Sequence, residues 1–156
     1  MASTALKQII LQTKWGPLDF LLIDMPPGTG DIHISLVGDI PLSGAVIVTT
    51  PQAVALADVL RGVNLFRNPQ VDKPIFGLVE NMAWFTPLEH PEEKYYLFGR
   101  DGGSQMAAQL DIPFLGQIPL VQSIREGADA GEPVALGTRP DSLAFLDLAR
   151  KLADTI

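Results

Sequence analysis

The 156-residue chain contains no cysteine. That excludes a disulfide-stapled secreted module. It also excludes a zinc or iron–sulfur site whose thiolate ligands all come from this chain. Positive charge is scarce: 11 Lys and Arg stand against 18 Asp and Glu, for a net charge of −7. No general basic surface for nucleic acid is therefore expected, although backbone N–H groups can hold an anion without net positive charge. Long apolar runs are missing too. Stretches such as Phe20–Ile23 and Ala45–Val48 fall far short of the ~20 residues that a membrane span needs. Residues Met1 to Ala5 show no basic segment leading into an apolar one, so no signal peptide is read and the cytoplasm is the default expectation. A lysine in a phosphate-gripping context is also absent. A Walker A loop needs G-x-x-x-x-G-K-[ST]. Lys7, Lys14, Lys73, Lys94 and Lys151 are followed by Gln8, Trp15, Pro74, Tyr95 and Leu152, and none fits.

What is present is globular. Hydrophobic residues make up 47% and charged residues 19%, a composition that can bury a core within one domain. Helix and strand patterns alternate. Thr4 to Gln12 predicts a helix broken by Trp15-Gly16-Pro17. Leu18 to Asp24 reads as a parallel strand buried on both faces, and Asp31 as the start of a helix running to about Asp39. Gly44–Thr49 predicts a strand, and Gln52–Phe66 a helix with Ala55, Val59, Val63 and Phe66 on its inner stripe. Asp58 and Arg61 are placed on its outer face as a surface pair. Further strands are predicted at Pro74–Asn81 and Pro113–Gly116. Helices are expected near Gln105–Leu110, Ser123–Ala130 and Asp141–Ala153, the last burying Phe145, Leu148, Ala149 and Leu152. Strands alternating with helices imply an α/β fold: a doubly wound, mostly parallel sheet or one half of one.

The stretch Leu21-Leu22-Ile23-Asp24-Met25-Pro26-Pro27-Gly28-Thr29-Gly30 is the most informative. A carboxylate at the C-terminal end of a parallel strand sits where α/β proteins bind ligands, and such an acid helps hold Mg²⁺ in P-loop NTPases. A glycine shortly after it lets a backbone N–H approach a phosphate closely. The residues alone also fit a strand end followed by a stiff turn.

Ile23 to Asp31 closely resembles the I-D-x-P-P-G-T-G-D signature of Mrp/ApbC-like ATPases. Further similar segments follow in order: Pro41–Gln52, Gly77–Met82, Phe98-Gly99 with Gly102-Gly103, Pro113–Leu120 and Ile124–Pro133. The resemblance covers nearly the whole chain. It implies the deviant-Walker P-loop fold shared with MinD, ATP and Mg²⁺ as cofactors, a homodimer, and delivery of iron–sulfur clusters to apo-protein clients. By position, Asp24 resembles the acid near Mg²⁺ and the attacking water, and Gly28 the backbone that senses the γ-phosphate. Asn81 resembles the asparagine that reads the adenine edge, and Ile118 and Pro119 the segment against the base. From the residues alone, Asn81 is a polar strand cap, Asp31 a helix cap and His33 a surface side chain.

Two departures from the family pattern stand out. The family's Walker A loop would lie upstream of Met1, so residues 1–156 are expected to form the C-terminal portion of a single ATPase domain and to be inactive alone. In addition, where many members carry C-P-x-C, residues 83–100 form an irregular loop without thiols, which puts a bound Fe–S cluster in doubt. His90 with Glu89, Glu92 and Glu93 has metal-binding groups, but a solvated acidic loop is the plainer reading. Trp84, Phe85, Tyr95 and Tyr96 read either as an interface patch or as a loop folded onto its own core. The second functional reading is a MinD-like switch that binds partners without carrying a cluster.

Overall fold

The computed structural model covers residues 2–25, 31–87, 89–90, 92–138 and 140–156. In chain order the elements are α1 (Ala2–Gln12), α2 (Asp31–Asp39), β1 (Ala45–Thr49), α3 (Ala53–Arg67), β2 (Ile75–Glu80), α4 (Gly102–Gln109), β3 (Phe114–Gln117), α5 (Gln122–Ala130), a 3₁₀ turn (Val134–Leu136) and α6 (Pro140–Thr155). The three strands are parallel, in the order β1-β2-β3. Each parallel connection runs through a helix, as the alternation of apolar runs with helical stripes requires.

Successive residues of β2 face opposite sides of the sheet. Leu78, fully buried, packs with Val59 and Val63 of α3 and Ala107 of α4. Val79 packs with Leu115, Ile118 and, from α6, Phe145, Leu148 and Leu152. A third cluster joins Val37 of α2 to Phe66 and Val71. Helices on both faces make the sheet doubly wound, as expected from the sequence. The inner stripe of α3 is buried at Val59, Val63 and Phe66, while Arg61 and Asp58 pair at 2.9 Å on its outer face.

Three expectations are corrected. Leu18 to Asp24 does not form a strand. A run buried on both faces needs a hydrogen-bonded neighbour and a covering layer, and β1 pairs only with β2 among the described residues. The run instead lies across a groove of about 1030 Å³ from β1. Leu22 is 81% exposed there and Val48 of β1 is 62% exposed. His33 is buried at 7% exposure, not on the surface: it sits on the inward stripe of α2 with Val37 and Ile40 at i+4 and i+7. In α6, Phe145, Leu148 and Leu152 face the core but Ala149 is exposed.

The 83–100 segment folds back on itself. Phe85 and Tyr95 exchange two backbone hydrogen bonds at 2.8 Å, and Leu120 N–H donates to the Trp84 carbonyl at 2.8 Å. Trp84 and Phe85 are half-buried, with the Lys94 ammonium 3.8 Å from the Trp84 ring centroid. Tyr95 and Leu97 are exposed. Trp84, Phe85 and Tyr96 are half-buried, as a loop folded onto its own core requires, while Tyr95 is exposed. The Tyr95 hydroxyl donates to Glu93 Oε2. This bond first, then the carboxylate's charge and desolvation, raises the Tyr95 pKa above its ordinary 10.0.

Removing core volume at a fully buried site leaves a cavity, so Leu78→Ala is expected to lower the unfolding free energy in urea by about 2–5 kcal/mol. Asp58→Ala, at an exposed ion pair, is expected to cost less than about 1 kcal/mol. Glu93→Gln removes the charge that disfavours the Tyr95 phenolate, so its ultraviolet titration midpoint is expected to fall toward 10.0.

Candidate functional site

The ends of the strands define the site. Register places Thr49 of β1 beside Glu80 of β2, and Glu80 beside Gln117 of β3. The C-terminal ends of all three strands are therefore level, which is where open α/β sheets bind ligands. Asn81 lies one residue past this row. Its N–H donates to the Thr49 carbonyl at 2.7 Å, and its Oδ1 accepts from the Met82 N–H at 2.9 Å. That bond supports Met82 in a left-handed conformation at φ 55. The local capping read from the sequence is therefore present, and the Nδ2 hydrogens are the donors that Asn81 still offers.

The groove beside β1 is lined by Asp24, Thr49, Thr50 and Asn81, among others. Asp24 is exposed. The structure thus brings Asp24 and Asn81 to the same groove. Ile118 is different. Its side chain is 4% exposed and packed against Val79 and Leu115, so only its backbone is available to a ligand. Its N–H donates to the Glu80 carbonyl at 2.9 Å, and its carbonyl accepts from the Ala83 N–H at 3.0 Å. Pro119 follows it, half-buried. Gly28 lies outside the described residues, so the γ-phosphate role stays with the resemblance.

Sequence reasoning missed Glu80. This carboxylate is 0% exposed. Oε2 accepts from the Gly103 N–H in the first turn of α4, and Oε1 accepts from Gln117 Nε2 at 2.7 Å. Gln117 Nε2 also reaches Asp101 Oδ1 at 3.2 Å. With both oxygens engaged and no exposure, Glu80 is not placed to ligate a metal itself. A Cβ at Gly103 would lie 2.9 Å from Glu80 Oε2 and 3.0 Å from its Cβ, so the close approach of α4 requires glycine there. The available signal was a charged residue closing the otherwise apolar strand Ile75–Val79, with Gly102-Gly103 downstream.

The residues present fit part of a nucleotide site. A groove carboxylate, Asp24, suits Mg²⁺ held through water, and Asn81 offers an amide to a base edge. No residue of the chain supplies the phosphate-gripping lysine, and none supplies a thiolate for iron. His90, Glu92 and Glu93 bring ligand atoms within 4.8 Å of one another, but all three are exposed, and three exposed side chains on a short loop do not by themselves make a metal site. No helix among the described residues is long and apolar enough to cross a membrane.

Comparison with known proteins agrees with this geometry. Residues 1–154 match the family described as ParA, NUBPL iron-transfer P-loop NTPase. The chain is 49% identical over 142 residues to the iron-sulfur cluster transfer protein NUBPL of Dictyostelium discoideum, covering 91% of this chain and 43% of that protein. It is 43% identical over 159 residues to an iron-sulfur cluster carrier protein of Aquifex aeolicus, covering 100% of this chain and 43% of that protein. The chain thus spans less than half the length of these relatives. Among solved structures, it is similar to an Archaeoglobus fulgidus nucleotide-binding protein in complex with ADP. That match has a TM-score of 0.73 at 35% identity and covers 83% of this chain and 52% of the other. The Aquifex aeolicus MinD cell division protein shares the fold, with a TM-score of 0.66 at 22% identity and coverage of 97% and 59%. The level strand ends, the carboxylate-lined groove and the family match over residues 1–154 lead to one conclusion: the chain belongs to the ParA/NUBPL family of iron-transfer P-loop NTPases.

Proposed function

We propose that the chain is the C-terminal portion of an ATP-binding, ATP-hydrolysing protein that carries or transfers iron–sulfur clusters to apo-protein clients, acting as a homodimer in the cytoplasm. The observation that carries this reading is the groove along β1, whose lining includes both Asp24 and Asn81, beside a β1 edge that is unpaired among the described residues. An unpaired edge with an apolar run alongside is how a sheet looks when further strands belong to it. A phosphate-binding half packed there would supply the missing lysine. The ADP named in the Archaeoglobus structure and the coverage of less than half of the relatives support the same reading.

In the intact protein Asp24 would hold Mg²⁺ through water and orient the attacking water. Mg²⁺, when bound, neutralises charge on the transferring phosphate. Asn81 would contact the adenine edge, with the backbone of Ile118 and Pro119 against the base. Movement of Gly28 and its neighbours would report the γ-phosphate. The cluster is cargo, and because this chain has no thiol, its thiolate ligands would come from the other half or from a partner. That absence favours a second reading, a MinD-like switch whose nucleotide state controls partner binding through the 83–100 loop.

Titration of the 156-residue chain with Mg-ATP is expected to show no saturable binding below about 1 mM; micromolar binding would refute the half-site reading. In the intact parent, Asp24→Asn is expected to reduce ATP hydrolysis roughly a hundredfold or more, with a much smaller change in ADP binding. Iron and sulfide reconstitution of the parent separates the two readings. Visible absorbance with about two iron per dimer supports the carrier, and a colourless protein with intact ATPase activity supports the switch.

A further inference from the structure

We propose that Glu80 is a positioning residue for the base-binding side of the groove, an inference that rests on the adenine-nucleotide reading above. A buried carboxylate is costly unless donors satisfy it. Two donors converge on Glu80, and they come from different elements. The Gly103 N–H belongs to the first turn of α4, whose dipole favours a negative neighbour. Gln117 Nε2, at 2.7 Å, belongs to the last residue of β3. One side chain therefore fixes the ends of β2, β3 and α4 relative to one another.

The groups assigned to the base lie one step beyond these anchors. Asn81 follows Glu80 directly. Ile118 and Pro119 follow Gln117, and Ile118 N–H is bonded to the Glu80 carbonyl at 2.9 Å. The main-chain bond survives any substitution at position 80, whereas the pair of side-chain bonds needs both carboxylate oxygens. Gln in place of Glu80 presents one acceptor and one donor to two converging donors, so one buried N–H is left without an acceptor. The two halves of the base site then lose their common anchor. A residue serving stability alone would weaken all nucleotides equally, whereas one that positions the base contacts changes which base is preferred.

The test uses the full-length parent and measures ADP and GDP affinities by calorimetry, with amide hydrogen exchange on the same samples. Wild-type protein is expected to prefer ADP. Glu80→Gln is expected to lose roughly tenfold in that preference, with faster exchange at Asn81, Met82 and Ile118 and unchanged exchange at Val59 and Val63. Asn81→Ala is expected to lose at least as much preference. Gln117→Ala removes one donor and leaves the carboxylate, and is expected to lose about threefold; it carries the test if Glu80→Gln does not fold. An unchanged preference in a folded Glu80→Gln or Gln117→Ala protein, beside a reduced one in Asn81→Ala, overturns the positioning role and leaves the nucleotide reading standing. An unchanged preference in Asn81→Ala overturns the base-site reading and the positioning role with it.

Discussion

Strand β2 is hydrogen-bonded to a parallel neighbour on each side, with Glu80 opposite Thr49 in one ladder and opposite Gln117 in the other. That single row sets the height at which every chain segment leaves the sheet. Asn81, Thr50 and Ile118 each lie one residue beyond it. Parallel ladders need both faces covered, and the helices of β2's two crossovers, together with α6, do this with Leu78 and Val79 as the alternating contacts. The site geometry follows from packing that is mostly apolar. Only the last residue of the strand, where the apolar layers end, carries a charge.

Most of the architecture was legible because it rests on local patterns. The stripe Val59, Val63, Phe66 buries as its spacing requires, and the β1, β2 and β3 strands fall within a residue of their apolar runs. The Leu18–Asp24 run was misread for a physical reason. Composition shows that a segment can be buried in a sheet, but pairing depends on a neighbouring strand, and the described residues provide none on that side of β1. Glu80 was missed for the opposite reason. Its partners, Gly103 and Gln117, lie 23 and 37 residues away, a separation that no local period reveals. Asp24 stood out as a carboxylate closing an apolar run and Asn81 through the family resemblance; that both line one groove is a matter of topology that neither residue states by itself.

The 83–100 segment is held by backbone hydrogen bonds at its base and by ring contacts along its rim. Its base is closed by the Phe85–Tyr95 bridge and joined to the segment after β3 by the Leu120–Trp84 bond. Arg100 lies 4.8 Å from the Tyr96 ring centroid and pairs with Asp101 at 3.3 Å. Asp101 in turn accepts from Gln117. The loop's outer rim and the strand-end row are thus physically contiguous, and a partner seated on Tyr95 and Leu97 would rest on the same framework that holds Asn81.

The edge of β1, unpaired among the described residues, has a consequence for the chain's behaviour at high concentration. Unpaired N–H and C=O groups beside apolar Val48 are a template on which a strand from another molecule can add, the first step toward ordered aggregates. The Phe20–Ile23 run is an apolar segment that lines the same groove as β1. Asp19 and Asp24 bracket it, and flanking charges of this kind keep a short sticky segment from stacking on its own copies. Asp19 and Asp24 thus stand as gatekeepers on either side of the apolar run that lines the groove along β1.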